Sequence, residues 1–182
     1  MRALKLKDKI IISTNDGSWA EQTKKKLDDE NFYLMFNGCD LTKKKIIPKI
    51  KNELNIICIS RLELDKGYLE FLNILYMLKN RFIKFKVIII GDGSLKEKVI
   101  KRIKDLGLIN NVEIKGNLEH YKIEEFLERS DLFVSYNYLG MFGNNVIEAT
   151  SKGIPVIALD NNVLESSYKK YFHIIKKDSL QD

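Results

Sequence analysis

Two cations stand close together in the stretch Ser60-Arg61-Leu62-Glu63-Leu64-Asp65-Lys66-Gly67. Arg61 follows an apolar run at 55–60, which reads as a strand. Lys66 precedes a segment at 67–80 with Tyr68, Phe71, Leu72, Leu75 and Leu78 at helical spacing. Arg61 and Lys66 would therefore approach one point from a strand end and a helix start. Two fixed cations beside a helix N-terminus suit a diphosphate. On spacing alone, a solvated loop carries the same two residues. A second stretch, Met141 to Ala158, reads as a turn, a short helix, a glycine stop and a buried strand. Gly143 stands where the helix begins, with Asn144 and Asn145 as capping candidates. The first amides of that helix are further donors toward an anion. Val146, Ile147 and Ala149 form its apolar face, which Glu148 interrupts. Gly153 ends the helix and Pro155 opens the strand, where a proline is tolerated.

Together these stretches resemble the donor-binding half of retaining glycosyltransferases of family 4, enzymes of the two-domain GT-B fold. The family's signature is a glutamate, a Gly-Phe-Gly-like turn, a helix carrying a second Glu-Ala, then small-x-Gly-x-Pro-Val-Ile. Here the corresponding residues are Phe142-Gly143, Glu148-Ala149 and Gly153-Ile154-Pro155-Val156-Ile157. The first glutamate is missing, and its position falls on Gly140. The cationic loop resembles the family's Gly-Arg-Leu-x-x-x-Lys-Gly, with Ser60 in place of the first glycine. The resemblance implies that Arg61 and Lys66 are catalytic, stabilising the negative charge that builds on the nucleotide's terminal phosphate as the sugar leaves. No metal or other cofactor is then expected, the nucleotide-sugar being a substrate. It implies that Glu148 accepts hydrogen bonds from the ribose hydroxyls. Gly143, Asn144 and Asn145 would lie along the phosphates, and Gly116, Asn117 and Leu118 beside the base. At Gly140 the family glutamate would approach the transferred sugar. Asn137, Asn144, Asn145 and the Asp160-Asn161-Asn162 loop are alternative polar contacts there.

The elements that must position these residues follow a regular rhythm. Strands are expected at Asn55–Ser60, Lys86–Ile90, Val112–Lys115, Leu132–Tyr136 and Pro155–Leu159, with a weaker one at Phe172–Ile175. Between them run helical patterns at 67–80, after Ser94, at 121–129 and after Gly143. Ser94 with Glu97 has the spacing of a capping box, and Gly107 stops that helix. The Gly91-Asp92-Gly93 turn lacks the third glycine of a dinucleotide fingerprint and reads equally as a tight strand-to-helix turn. Such alternation predicts an α/β fold, a Rossmann-like parallel sheet flanked by helices. Ligands in such sheets bind beyond the carboxyl ends of the strands, where most of the glycines and candidate contacts fall.

Ahead of residue 49 the pattern differs. Residues 10–13 and 32–36 read as strands, 19–29 as a mostly polar helix, and 41–53 as a lysine-rich linker holding Pro48. Family members carry Asn-Gly-x-Asp at the close of their first domain, and Asn37-Gly38-Cys39-Asp40 is similar. Residues 1–48 are thus expected to be a remnant of an acceptor domain and its linker. Residues 49–182 are expected to be the nucleotide-sugar-binding domain, shorter than the family's usual C-terminal extent. The catalytic histidine that the family brings in its first domain is not recognisable. His120 reads as an exposed residue at a helix start. Transfer by this chain alone is therefore not expected.

Composition bounds the remaining possibilities. The chain has 182 residues, 45% of them apolar, with a net charge of +6. Nothing approaches the ~18 uninterrupted apolar residues of a membrane span, and the first residues lack the apolar stretch of a signal peptide. Cys39 and Cys58 are far apart and His120 and His173 are the only histidines. A reduced, cytoplasmic chain without a zinc site is the expectation. Lysine runs at 24–26, 43–45, 169–170 and 176–177 suit solvated faces, or contact with anionic headgroups at the inner face of a membrane near a lipid-linked acceptor. No aromatic-basic motif points to nucleic acid. Expected partners are a nucleotide-sugar, a glycan or lipid-linked acceptor, and a missing acceptor domain or partner chain. Two other readings stay open: a nucleotide-sugar 2-epimerase-like protein, and a non-catalytic nucleotide-binding module acting through a partner.

Overall fold

Ile56, Ile57 and Cys58 are consecutive and all buried, yet they enter two different hydrophobic clusters. That is the mark of a strand covered on both faces, since successive side chains point to opposite sides. The computed structural model describes residues 2–6, 9–14, 32–36, 52–138, 143–160 and 173–176. In chain order the strands are β1 (Arg2–Leu6), β2 (Lys9–Thr14), β3 (Phe32–Phe36), β4 (Leu54–Ile59), β5 (Phe85–Ile90), β6 (Val112–Gly116), β7 (Leu132–Ser135), β8 (Val156–Asp160) and β9 (His173–Lys176). The helices are α1 (Tyr68–Asn80), α2 (Lys96–Asp105), α3 (His120–Arg129) and α4 (Asn144–Ser151). A single 3-10 turn at Leu64–Lys66 precedes α1.

Strands β4 to β9 form one sheet in the order β6-β5-β4-β7-β8-β9, and every pairing in it is parallel. The order reverses between β4 and β7, which pair directly through Ile56–Leu132 and Ile57–Phe133. This is the Rossmann-like arrangement, and its crossover opens a crevice at the strands' carboxyl ends. On one face, α1 and α2 contribute Phe71, Leu72, Leu75, Val99 and Ile103 to a cluster with Ile56, Cys58, Val87 and Ile89. On the other, α3 and α4 contribute Leu127, Val146 and Ala149, packed with Ile57, Phe133, Val156 and Ala158. Each fully buried Val, Leu, Ile or Phe among them contributes about 1.5–3 kcal/mol. Strands β1, β2 and β3 make a separate sheet, antiparallel between β1 and β2 and parallel between β2 and β3.

The expected strands appear with ends moved by at most one residue, and β1 is additional. Gly107 and Gly153 follow α2 and α4 at positive φ, as expected of stop residues. The capping box at Ser94 does not form. The cap of α2 is Leu95, without a side-chain hydrogen bond. Ser94 instead gives its hydroxyl and amide to the two oxygens of Glu63, at 2.6 and 3.1 Å. A carboxylate taking two hydrogen bonds at once outcompetes a local one. The asparagines do not cap α4 in the expected way either: Gly143 is the cap, with no side-chain bond. The expected helix at 19–29, the Asn37–Asp40 motif, most of the linker, Gly140 and Asn161–Asn162 lie outside the described residues.

Candidate functional site

The loop after β4 is fixed by two neighbouring segments, the loop after β5 and the segment after β7, and each contact follows from a residue type. Leu62 is buried and exchanges backbone bonds with the next loop: its amide donates to Asp92 O and its carbonyl accepts from Leu95 N. Glu63 reaches Ser94, whose hydrogen bonds hold the Glu63 carboxyl below the usual carboxylate range. Gly67 adopts φ 57 and lies against Tyr136, where a Cβ would come within 2.4 Å of the ring. Tyr138 N donates to Asp65 O at 2.9 Å, joining this loop to the segment after β7. The Gly91-Asp92-Gly93 turn is explained by the same packing. A Cβ on Gly91 would lie 2.0 Å from Ser60 O, and one on Gly93 would lie 2.5 Å from Leu62 O.

A cavity of about 460 Å3 opens at this place. It lies at the crossover of the sheet, lined by the ends of β4 and β7, by Arg61 and Lys66, and by Gly143, Asn144 and Asn145 at the start of α4. The two cations expected to converge therefore line one cavity, together with a helix N-terminus. Lys66 Nζ is 2.7 Å from Asp65 and its side chain is largely shielded, while Arg61 is exposed. Asn145 ties the start of α4 to the end of β4: its amide nitrogen donates to Ile59 O, and its Oδ1 accepts from Val146 N at 2.9 Å. Gly143 makes room for that side chain, since a Cβ there would lie 2.5 Å from Asn145 Oδ1.

Glu148 and the Gly116-Asn117-Leu118 loop do not line the cavity. Glu148 lies instead beside His120, two residues beyond that loop. The loop leads into α3, whose first residue, His120, places Nε2 3.3 Å from Glu148 Oε1. Leu118 packs against the cluster that holds Val146 and Ala149. His120 is exposed at a helix start, as expected, but its neighbour was not foreseen. Helix α4 thus runs from the cavity to a second polar point at Glu148.

The cavity is also lined by residues that the sequence assigned to a helix and a strand but not to the site: Tyr68, Ser135 and Tyr136. Tyr68 OH and Ser60 Oγ are 2.8 Å apart. Tyr136 and Tyr138 stack edge to face with centroids 5.7 Å apart. Burial raises both phenols, and Tyr138 is raised further by its hydrogen bond to Glu70. The sequence sign of this wall is the pair Tyr136 and Tyr138, alternating with Asn137 where an apolar strand ends. Among the described residues no group of three or more His, Cys, Asp or Glu side chains could hold a metal ion. Among them, too, no helix is long and apolar enough to cross a membrane.

Residues 40–179 match the family described as glycosyl transferases group 1. The chain belongs to this family. Its glycosyltransferase relatives include 2-deoxystreptamine N-acetyl-D-glucosaminyltransferase of Niallia circulans, 27% identical over 62% of this chain and 30% of the relative. Poly(glycerol-phosphate) alpha-glucosyltransferase of Bacillus subtilis is 31% identical over 57% of this chain and 15% of the relative. A mutant of S. aureus TarM, crystallised with fondaparinux, alpha-GlcNAc-glycerol and UDP, superimposes with a TM-score of 0.72 at 25% identity. That superposition covers 94% of this chain and 34% of TarM. The group 1 chain therefore spans about a third or less of these relatives.

Proposed function

We propose that the chain is the donor-binding portion of a retaining, family 4 glycosyltransferase. The whole enzyme would transfer a sugar from a nucleotide-sugar to a glycan or lipid-linked acceptor of an envelope or capsule polysaccharide. The observation that carries this reading is the crossover cavity, lined at once by Arg61, Lys66 and the amide end of α4. In it the diphosphate lies between the two cations and the helix start. Arg61 and Lys66 take up the charge that develops on the leaving phosphate. The nucleoside follows α4 toward Glu148, which accepts from the ribose, with Gly116, Asn117 and Leu118 beside the base. Family membership, and relatives named for poly(glycerol-phosphate) and teichuronic acid synthesis, support the acceptor class. In this reading residues 1–48 belong to an acceptor domain and 49–182 to the donor domain. An acceptor-site wall from another domain or chain completes the cleft, because one wall can neither align two reactants nor exclude water. The departure at Gly140 favours a second reading, a nucleotide-binding module that works through a partner.

Calorimetry with uridine, guanosine and adenosine diphosphates in excess chelator tests the first reading. UDP, present in the TarM structure, is the first choice. Binding is expected without a divalent ion, and binding that appears only with one would sink the two-cation mechanism. Glu148→Gln addresses the ribose. It is expected to weaken uridine and UDP by the same factor, about 1.5–3 kcal/mol for a hydrogen bond to a charged group. The loss should be smaller for 2′-deoxyuridine diphosphate. An equal loss for the ribo and deoxy forms would remove Glu148 from that role.

A further inference from the structure

Three helices of this chain end in the same backbone motif. After α2, Leu108 N donates to Ile103 O and Gly107 N to Lys104 O. After α4, Ile154 N donates to Ala149 O and Gly153 N to Thr150 O. After α1, Ile83 N donates to Leu78 O and Phe82 N to Lys79 O. The motif requires one residue in the left-handed region, where glycine is favoured. Glycine occupies it twice, at φ 64 and 79, but after α1 it is Phe82, at φ 58. For a bulky aromatic residue this conformation is a strained one. Packing does not compensate. Phe82 is 93% exposed and Ile83 45%, whereas the equivalent Leu108 and Ile154 are buried.

The surroundings have a definite chemistry. Residues 76–86 read Tyr-Met-Leu-Lys-Asn-Arg-Phe-Ile-Lys-Phe-Lys, with four cations and no carboxylate. Tyr76 and Met77, near the end of α1, are exposed as well. Lys79 and Lys86 donate to the neutral carbonyls of Gly107 and Asn110, each at 2.7 Å, so their charge is not cancelled. Exposed Ile109 lies between those two carbonyls. This turn precedes β5, at the end of the sheet opposite the crossover cavity.

We propose that the α1–β5 turn docks on an anionic lipid bilayer, Phe82 and Ile83 entering the headgroup boundary while Lys79, Arg81, Lys84 and Lys86 hold the surface. Apolar residues ringed by cations are what binding to such a surface combines. The choice of a membrane as partner rests on charge complementarity: Lys79, Arg81, Lys84 and Lys86 flank the exposed Phe82 and Ile83 within eight residues, which an anionic surface matches. The surface itself is independent of the donor site.

Flotation of the chain with phosphatidylcholine vesicles, with and without phosphatidylglycerol, tests this. The chain is expected to float only with the anionic vesicles, and less at raised salt. Arg81→Gln with Lys84→Gln should reduce partitioning by about 25-fold, roughly fivefold per cation. Phe82→Gly should reduce it by about tenfold at unchanged net charge. Because glycine relieves the strained φ, the same variant should melt about 2–4 °C higher and bind UDP like the parent. The proposal is overturned if the chain ignores anionic vesicles or floats equally with neutral ones. It is also overturned if both variants float like the parent, or if Phe82→Gly instead abolishes a dimer seen by sedimentation, which would give the surface to a second copy. Vesicle binding kept by a chain that fails to bind any nucleotide would uphold this surface while removing the donor-site reading.

Discussion

Alanine at Arg61 or at Lys66 is expected to weaken nucleoside diphosphate binding by about 1.5–3 kcal/mol each, roughly ten- to a hundred-fold in Kd. Both side chains line the crossover cavity beside the start of α4, and a diphosphate there would receive charge-assisted bonds from each. Arg61 is exposed and has five donors in a fixed fork, so it suits a bidentate hold. Lys66 is already 2.7 Å from Asp65. Its ammonium must be shared between that carboxylate and the ligand, which places its effect toward the lower end of the range. The bare nucleoside makes no use of either cation, and its affinity should stay within a factor of two. Calorimetry with UDP and uridine on the two variants checks this. If uridine and UDP lose equally, the cations support the loop rather than the phosphates. If neither loses, the diphosphate lies elsewhere.

The second large effect is expected from Gly91→Ala. Gly91 has φ 141, and a Cβ there would lie 2.0 Å from Ser60 O. The colliding atom is backbone, and no rotamer change relieves it. Strained φ and overpacking each cost about 1–3 kcal/mol, so a total loss of about 3 kcal/mol or more is expected. Gly116→Ala is the internal control. Its φ is 69 but a Cβ would meet nothing within 4 Å, so only the backbone term of about 1–2 kcal/mol applies. Chemical denaturation of the two variants gives the comparison. The fraction of Gly91→Ala that folds should also bind UDP poorly, because relief of the clash displaces the Ser60–Arg61 loop. Equal losses of stability in the two variants would show that the clash is absorbed and the packing of these two loops is loose.

What the sequence determined here is what short-range patterns carry. Alternating apolar runs and helical spacing set the strand–helix order, because burial on both faces of a sheet leaves near-continuous apolar strands. Gly107 and Gly153 marked helix ends because a left-handed residue is needed there. The Ser60–Gly67 loop and the Gly143–Glu148 helix start were legible as stretches where cations and amides fall at strand and helix ends. The fold brings Arg61, Lys66 and Gly143–Asn145 to one cavity. That meeting depends on β4 pairing with β7, a contact between segments with two strands and three helices between them. Local periodicity has no term for such a pairing. The tertiary structure alone decided that Glu63 takes Ser94 from its expected cap. It alone put Tyr136 against Gly67, and His120 beside Glu148. Each of these is a choice among partners of similar local merit, and the choice falls to whichever group the sheet order carries within hydrogen-bonding or packing distance.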